Sequence, residues 1–451
     1  MARRRLGRRN LTGITVKGLK SIDYADIEVR PLTILAGANS SGKSSIMQPM
    51  LLMKQTLDAT HDPGPLLLNG PHVRFTQYEQ LRPRTLSEEQ HLMTAGYRSG
   101  KKTSLSCEFK FPAKKAGAHR QIELSSMTVE STRDPKYTLT PDLTESEIIP
   151  RLPERMQERM NDPKQERLRG DTDTLGIESS RCFLHIVRYR KGERRRAYPF
   201  SFAFISPFYW TQIAIEELIH VPGLRGNKER AYHSVPAQGP RFPGTFENYI
   251  GGLILHWQEE GSEKIKLVGE HLRKLELTES IEAAIVDDVN VELKVARVLS
   301  ATESKPEQDS VSIADVGFGV SQVLPVLVAL VVAQPGQMVY IEQPELHLHP
   351  RAQVALAEVL AFAANRGVRV VIETHSALLL HGVKALIAEG KLESDKVMLH
   401  WFSRSEEGKT GISSGEFDDK GAYGKWPVDF ADVQLGIQER YFEAVVKRAM
   451  E

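Results

Sequence analysis

The sequence predicts an α/β fold: two α/β segments, one near each end of the chain, with a large inserted region of strands and helices between them. Three observations carry this. Residues 32–36 are a compact apolar run suited to a strand buried on both faces, and the run breaks at Gly37 into a Gly/Ser stretch that leads into helical spacing. Residues 338–341, 350–365 and 368–372 read strand, helix, strand, an order that implies a parallel sheet with a right-handed crossover. Residues from about 60 to 300 alternate strand-like and helix-like pieces without a repeat or a sustained heptad pattern.

The elements follow in order. Residues 11–19 alternate apolar and small polar side chains as a half-buried strand does, and 27–29 is a second short extended piece. Ile46, Met50, Met53 and Leu57 place a helix over 44–57. Strands are expected at 104–111 and 122–129, and helices at 213–219, 245–257 and 264–277. Residues 141–169 are dense in charge and interrupted by prolines, which reads as a surface excursion. An apolar helix is expected at 323–332, and the helix over 350–365 has Pro350 at its first turn and Gly367 just past its end. The expected divisions are 1–135, 136–300 and 301–451.

Composition narrows the function classes. The chain has 451 residues, 41% hydrophobic and 26% charged, with a net charge of +1, so no overall basic field advertises a nucleic-acid partner. Cys107 and Cys182 are the only cysteines, too few for a disulfide framework or a cysteine zinc site, and a reducing compartment is expected. Five arginines fall within residues 1–10, but no apolar core follows them as in a secretory leader. The longest apolar run, 326–333, is far below the roughly 20 residues that cross a bilayer. A cytoplasmic protein without a membrane segment is the expectation.

Four pieces carry chemistry. Gly37-Ala38-Asn39-Ser40-Ser41-Gly42-Lys43-Ser44 fits G-x-x-x-x-G-K-[ST] in full, between an apolar strand and a helix. The glycines let backbone N–H groups curl round phosphates, Lys43 reaches the β- and γ-phosphates, Ser44 can ligate Mg²⁺, and the helix N-terminus faces the same phosphates. Met338-Val339-Tyr340-Ile341-Glu342 is a hydrophobic strand ending in a carboxylate, the form of a Walker B strand whose acid, Glu342, holds that Mg²⁺ together with Ser44. His375 lies just past the next strand, at the carboxyl edge where such sheets bind ligands; it reads as a γ-phosphate sensor or as a structural histidine. Asp315-Val316-Gly317-Phe318-Gly319-Val320-Ser321-Gln322 precedes an apolar helix, so Gly319 and Ser321 offer a second phosphate-binding surface.

Taken together, these pieces resemble the ABC ATPase superfamily, in its soluble RecF-, SMC- and OLD-like branch of AAA15 class. Gly18-Leu19-Lys20-Ser21-Ile22 looks like the basic strand end that opens such heads, and Gly37 to Ser45 like their G-x-N-x-x-G-K-S-[SN] loop. Gly317 to Gln322 with Val323-Leu324-Pro325 resembles G-F-G-x-x-Q-x-x-P, and Ile341-Glu342-Gln343-Pro344-Glu345-Leu346-His347-Leu348-His349-Pro350 resembles [DE]-x-P-E-x-x-L-H-P. Trp426-Pro427 to Phe430 resembles a tail motif of one bacterial subgroup. The motifs cover residues 11–60 and 310–435.

The resemblance implies an ABC-type P-loop ATPase head with a mixed sheet, an inserted α+β/helical region and no long coiled coil. It implies ATP and Mg²⁺ as cofactors, with Gly37, Asn39, Ser40, Ser41, Gly42, Lys43, Ser44 and Ser45 on the nucleotide. It also implies a homodimer, or a higher oligomer, in which Gly319 and Ser321 of one copy complete the ATP site of the other. Such ATPases occur in bacterial anti-phage systems, for example as the ATPase subunits of Septu and PARIS, where they pair with a separate nuclease or toxic effector. The sequence departs from the pattern at one point: the usual catalytic glutamate after the Walker B acid is Gln343, which can orient a water but cannot take its proton. Glu345 is the substitute base, and slow hydrolysis or prolonged ATP retention is expected.

The rival reading is a DNA-repair or chromosome-maintenance ATPase of RecF/SMC type. Arg188, Arg190, Lys191, Arg194, Arg195 and Arg196, with Tyr189 and Tyr198, form a basic stretch that suits either a nucleic-acid contact or a solvated strand or subunit interface. A GTPase is disfavoured because Asn227-Lys228-Glu229-Arg230 lacks the base-reading acid of N-K-x-D, and a transport motor by the unmatched middle of the chain. A non-hydrolysing ATP-binding scaffold stays open through Gln343. Glu345, His347 and His349 read as the loop after Walker B rather than as a metal cluster.

Overall fold

The computed structural model describes residues 10–83, 92–100, 103–112, 121–131, 136–160, 173–190, 193–199, 207–224, 230–235, 239–296, 310–423, 440 and 445. The arginines of residues 1–9, Lys191, most of the 227–230 stretch and the Trp426 to Phe430 motif lie outside them.

Three strands open the chain, β1 (Gly13–Leu19), β2 (Ile22–Glu28) and β3 (Leu32–Gly37), and the helix α1 (Lys43–Asp58) follows. Then come β4 (Leu92–Arg98), β5 (Ser104–Lys110), β6 (Glu123–Glu130), β7 (Tyr137–Leu139), α2 (Glu145–Arg151) and α3 (Glu154–Met160). The hairpin strands β8 (Asp173–Ser180), β9 (Phe183–Arg190) and β10 (Glu193–Pro199) lead to α4 (Pro207–Glu216), β11 (Ile219–Val221) and β12 (Tyr232–His233). Two helices, α5 (Ile250–Glu259) and α6 (Glu263–Lys274), precede β13 (Ile281–Ile285), β14 (Asn290–Ala296) and β15 (Ser310–Ser312). The last part runs α7 (Phe318–Val332), β16 (Met338–Glu342), α8 (Pro350–Asn365), β17 (Arg369–Thr374), α9 (Ala377–Ala388), β18 (Val397–Arg404) and β19 (Thr410–Gly415).

The central sheet has the order β11-β16-β17-β3-β18-β19. Its first five strands are parallel and β19 pairs antiparallel to β18, so the sheet is mixed. Alternate side chains face two separate cores, as the pleat requires. Leu32, Ile34 and Ala36 of β3, Val339 and Ile341 of β16, and Val370 and Ile372 of β17 meet one core with α5 to α9. Leu35, Tyr340, Val371 and Phe402 face the other, where α1 lies. That second core is closed by the antiparallel sheet β2-β1-β4-β5-β6-β7.

A helix packed between two sheets cannot keep a polar face. Residues 49–57 of α1 are all buried, well beyond the one-sided stripe that the spacing suggested. Its buried polar side chains are therefore satisfied individually. Lys54 Nζ donates to the Glu216 carbonyl at 3.0 Å and meets Asp58 at 3.1 Å, while Gln55 Nε2 donates to the Leu67 carbonyl at 2.6 Å.

Three sequence expectations are corrected. Of the 141–169 stretch read as a surface excursion, 161–169 lie outside the described residues, and 141–160 is anchored rather than free: Ile148, Leu152 and Met156, spaced i, i+4, are buried in the second core. The helix expected over 213–219 ends at Glu216, and Ile219 opens the edge strand β11. The apolar helix expected over 323–332 starts five residues earlier, at Phe318. Both cysteines are buried; burial pushes Cys107 up to about 12 and Cys182 well above the ordinary thiol range, which makes both poor nucleophiles. Among the described residues no helix is long and apolar enough to cross a membrane.

Candidate nucleotide site

The loop after β3 is built from local backbone demands. Gly37 has φ 142°, and a Cβ there would sit 2.1 Å from the Phe402 carbonyl oxygen. Gly42 has φ 102°, and a Cβ there would sit 2.4 Å from Thr410 Oγ1. Only glycine meets both demands, a left-handed backbone and an adjoining strand in contact. α1 begins at Lys43, so its free N–H groups face the hollow of the loop. Lys43 is buried and donates to the carbonyls of Gly37 at 3.1 Å and Ala38 at 2.7 Å. Burial lowers its pKa, while Glu373 and Glu345 oppose that shift.

A cleft of about 940 Å³ opens over this loop, a volume suited to a small-molecule cofactor. Ser40 to Ser45 line it, with Lys20, Ser21, Arg82, Arg404 and Lys409 around the rim. The β1–β2 turn reaches the cleft because Gly18 and Lys20 both take positive φ and Lys20 N bonds the Leu81 carbonyl. Thr410 ties that turn to the loop, 2.8 Å from Ser21 Oγ and donating to the Ser41 carbonyl at 2.9 Å.

The acid beside Ser44 is Glu373, not Glu342. Ser44 Oγ lies 3.0 and 2.8 Å from the two Glu373 carboxylate oxygens. The reason is strand order: β17 lies between β16 and β3, and the register pairs Glu342 with Glu373. The acid ending β17 thus stands one strand nearer the loop. Burial raises the Glu373 pKa, Ser44 counters this, Glu342 adds to it, and Lys43 and Tyr340 counter it. Glu342 is instead held by His220 Nε2 at 3.2 Å and by Gly223 N at 3.1 Å.

His220 leads away from the site along a buried polar chain. Its ring stacks on Tyr340, and its Nδ1 lies 3.2 Å from His72 Nδ1. Beyond His72 stand Asp58 and Lys54. Burial lowers the His72 pKa to about 4, and burial with Lys274 and Arg366 does the same for His271. Unfolded histidines titrate near 6.5. As pH falls from there towards 4, the unfolded chain takes up protons that the folded chain refuses, so stability is present above that window and falls across it. The melting temperature is expected to drop by a few degrees between pH 7 and pH 5. His271→Gln should flatten part of that drop in a thermal-melt series.

Glu345 is buried in the turn after β16. Its Oε1 accepts from Thr374 Oγ1 and His375 N, both at 2.8 Å, and its Oε2 is buried without a hydrogen-bond partner. Gln343 has φ 44° and its N–H donates to the Glu373 carbonyl at 2.7 Å. His375 is half-buried; burial and Lys43 lower its pKa, and a hydrogen bond with the Gly37 backbone opposes them. His349 caps α8, and the exposed His347 lies against the Phe318 ring.

Asp315, Val316, Gly317, Gly319 and Val320 line a different hollow, with Glu276, Leu277 and Thr278. Ser321 Oγ donates to the Phe318 carbonyl at 3.1 Å within the first turn of α7, and Phe318 is exposed. The sequence pointed to Ser44, Lys43, Glu342, Glu345 and His375; it missed Glu373 and His220. The one available signal was Glu373 standing two residues before His375, which a lone carboxylate in a buried strand does not distinguish.

Residues 231–381 match the sequence family described as "AAA domain, putative AbiEii toxin, Type IV TA system". The matched stretch includes the segment before α7, the β16 strand and turn, and His375, and leaves out the 37–45 loop. No curated protein matches the chain. Among solved structures, the SMC head domain from Thermotoga maritima is similar at 10% identity, with 90% of this chain and 98% of that one covered and a TM-score of 0.36. The Smc head bound to the C-winged helix domain of ScpA is similar at 11% identity, 90% and 97% coverage and a TM-score of 0.43. A Smc head with an extended coiled coil, bound to the C-terminal domain of ScpA derived from Pyrococcus furiosus, gives 10%, 90% and 96%, and 0.44. The fold is a mixed α/β architecture with a parallel-stranded centre and a Gly/Ser loop of the G-x-x-x-x-G-K-[ST] pattern between β3 and α1.

Proposed function

We propose that this chain is an ABC-type ATPase that binds ATP and hydrolyses it slowly, acting as a nucleotide-dependent switch in a bacterial anti-phage complex with a separate nuclease or toxic effector. The observation that carries the ATPase reading is the convergence of Lys43, Ser44 and the α1 N-terminus on one cleft large enough for a nucleoside triphosphate. The defence role rests on the resemblance of the motifs and on the type IV toxin–antitoxin description of the family matched over 231–381.

The residues present fit ATP with Mg²⁺. A carboxylate already faces the loop hydroxyl, and a buried carboxylate oxygen of Glu345 in the turn after β16 lacks a hydrogen-bond partner. The ion's part is to neutralise charge on the β- and γ-phosphates. The backbone N–H groups of 37–45 and Lys43 hold the phosphates, and Glu345 Oε2 takes the proton of the attacking water as its oxygen bonds the γ-phosphorus and ADP departs. Gln343, which cannot take a proton, turns that water. Only one carboxylate off the usual position serves as base, which accounts for slow turnover and long ATP retention.

Gly317 and Phe318 at the start of α7 are exposed and stand outside the chain's own cleft; following the signature pattern, Gly319 and the buried Ser321 behind them serve the cleft of a second copy, giving a dimer with two ATP molecules at its interface. Ser321→Arg is expected to bind ATP as the wild type does and to lose turnover, measured by phosphate release with the melting temperature as a folding control. Unchanged turnover contradicts the two-copy site. Tagged chain purified from its host in ATP should bring a nuclease or toxin with it, identified by mass spectrometry. Turnover raised by DNA ends, with no such companion, would favour a DNA-repair role instead.

A further inference from the structure

We infer that Glu373 is the principal carboxylate of the divalent-cation seat, with Ser44 as its companion and Glu342 facing it from the next strand. The inference rests on the nucleotide reading above and deepens it. A hard, octahedral ion binds through oxygen at about 2.0–2.1 Å, which sets neighbouring ligand oxygens roughly 3 Å apart, and Mg²⁺ in nucleotide sites takes only one or two carboxylates besides phosphate. Ser44 Oγ stands 2.8 and 3.0 Å from the Glu373 oxygens, so the two side chains already span one edge of such a polyhedron.

Glu342 is placed differently. Its Oε1 is bonded by His220 and its Oε2 by the Gly223 N–H, which turns the carboxylate toward β11 and the loop after it. Glu373 is the more rigid of the two. It is 6% exposed, its strand is flanked by β16 and β3, and Tyr340 Oη donates to Oε2 at 3.2 Å. Glu342 and Glu373 stand at matched register at the ends of β16 and β17, and two partly or fully buried carboxylates so placed concentrate negative charge that a divalent ion offsets. A separate feature points to a ligand: Glu345, 8% exposed in the turn after β16, has its Oε2 buried without a hydrogen-bond partner. The roles divide between the acids accordingly. Glu373 and Ser44 hold the ion, Glu342 is a positioning residue that completes its surroundings through His220, and Glu345 serves the water.

The test titrates Mn²⁺ into the full chain with a non-hydrolysable ATP analogue and follows the ion by electron paramagnetic resonance. A fluorescent ATP analogue in EDTA reports metal-free nucleotide binding in parallel. Glu373→Gln is expected to weaken Mn²⁺ by tenfold or more while nucleotide binding in EDTA stays at the wild-type level or tightens. Glu373→Asp, which keeps the charge and retracts it, should fall between the two and guards against a folding defect in the amide. Glu342→Gln should weaken Mn²⁺ less than Glu373→Gln does. Wild-type Mn²⁺ affinity in Glu373→Gln, or a larger loss in Glu342→Gln, overturns the assignment and leaves the nucleotide reading standing. A wild-type chain that binds no nucleotide with or without metal overturns both.

Discussion

Lys43→Ala is expected to lower ATP affinity by about two orders of magnitude, the largest single effect in the molecule. Its ammonium is buried at the mouth of α1 and bonded to the Gly37 and Ala38 carbonyls. Phosphate oxygens replace those weak neutral partners when nucleotide enters, and hydrogen bonds to charged groups contribute about 1.5–3 kcal/mol each. With tenfold in affinity per about 1.4 kcal/mol, loss of two such bonds corresponds to roughly 10²-fold or more. The fold should survive, because the lysine holds only its own loop. Calorimetric titration of ATP into wild type and variant, with melting curves alongside, measures this. Equal affinities would mean that the cleft is not the nucleotide site.

Glu345→Gln is expected to cut turnover by roughly 10²-fold or more while sparing ATP binding, since removal of a general base costs about 10²–10⁴-fold. The amide oxygen can still accept from Thr374 Oγ1 and His375 N, so the turn after β16 keeps its hydrogen bonds. What is lost is the oxygen now without a partner, which an amide nitrogen cannot replace as a proton acceptor. Single-turnover phosphate release separates the effect from binding. A variant that hydrolyses at the wild-type rate would remove Glu345 from the chemistry.

Local features of the fold were legible in the sequence and long-range ones were not. The helix α8 begins at Pro350 and ends at Asn365 as read, because both signals are contiguous with it: proline fits the first turn, and Gly367 takes φ 86° just past the end. β3 was readable for the same reason, six residues buried on both faces and then a glycine break. Glu373 was not readable, because its nearness to Ser44 depends on β17 lying between β16 and β3, which no local pattern encodes. The buried chain of Glu342, His220, His72, Asp58 and Lys54 likewise joins four distant segments. Charge hid the apolar edge of residues 148–156, where the buried Ile148, Leu152 and Met156 stand among acidic and basic neighbours. The hairpin β13–β14 was missed because its strands are short and its turn carries Asp287 and Asp288 between exposed valines.

The central claim is that ATP joins two copies of this chain, each closing the other's cleft with the start of α7. Sedimentation velocity of Glu345→Gln with and without Mg·ATP tests it most directly, because that variant should hold ATP without consuming it. The account predicts a single copy without nucleotide, a dimer with it, and no dimer when Ser321→Arg is added. A sedimentation coefficient that ATP leaves unchanged at saturating nucleotide would contradict the account.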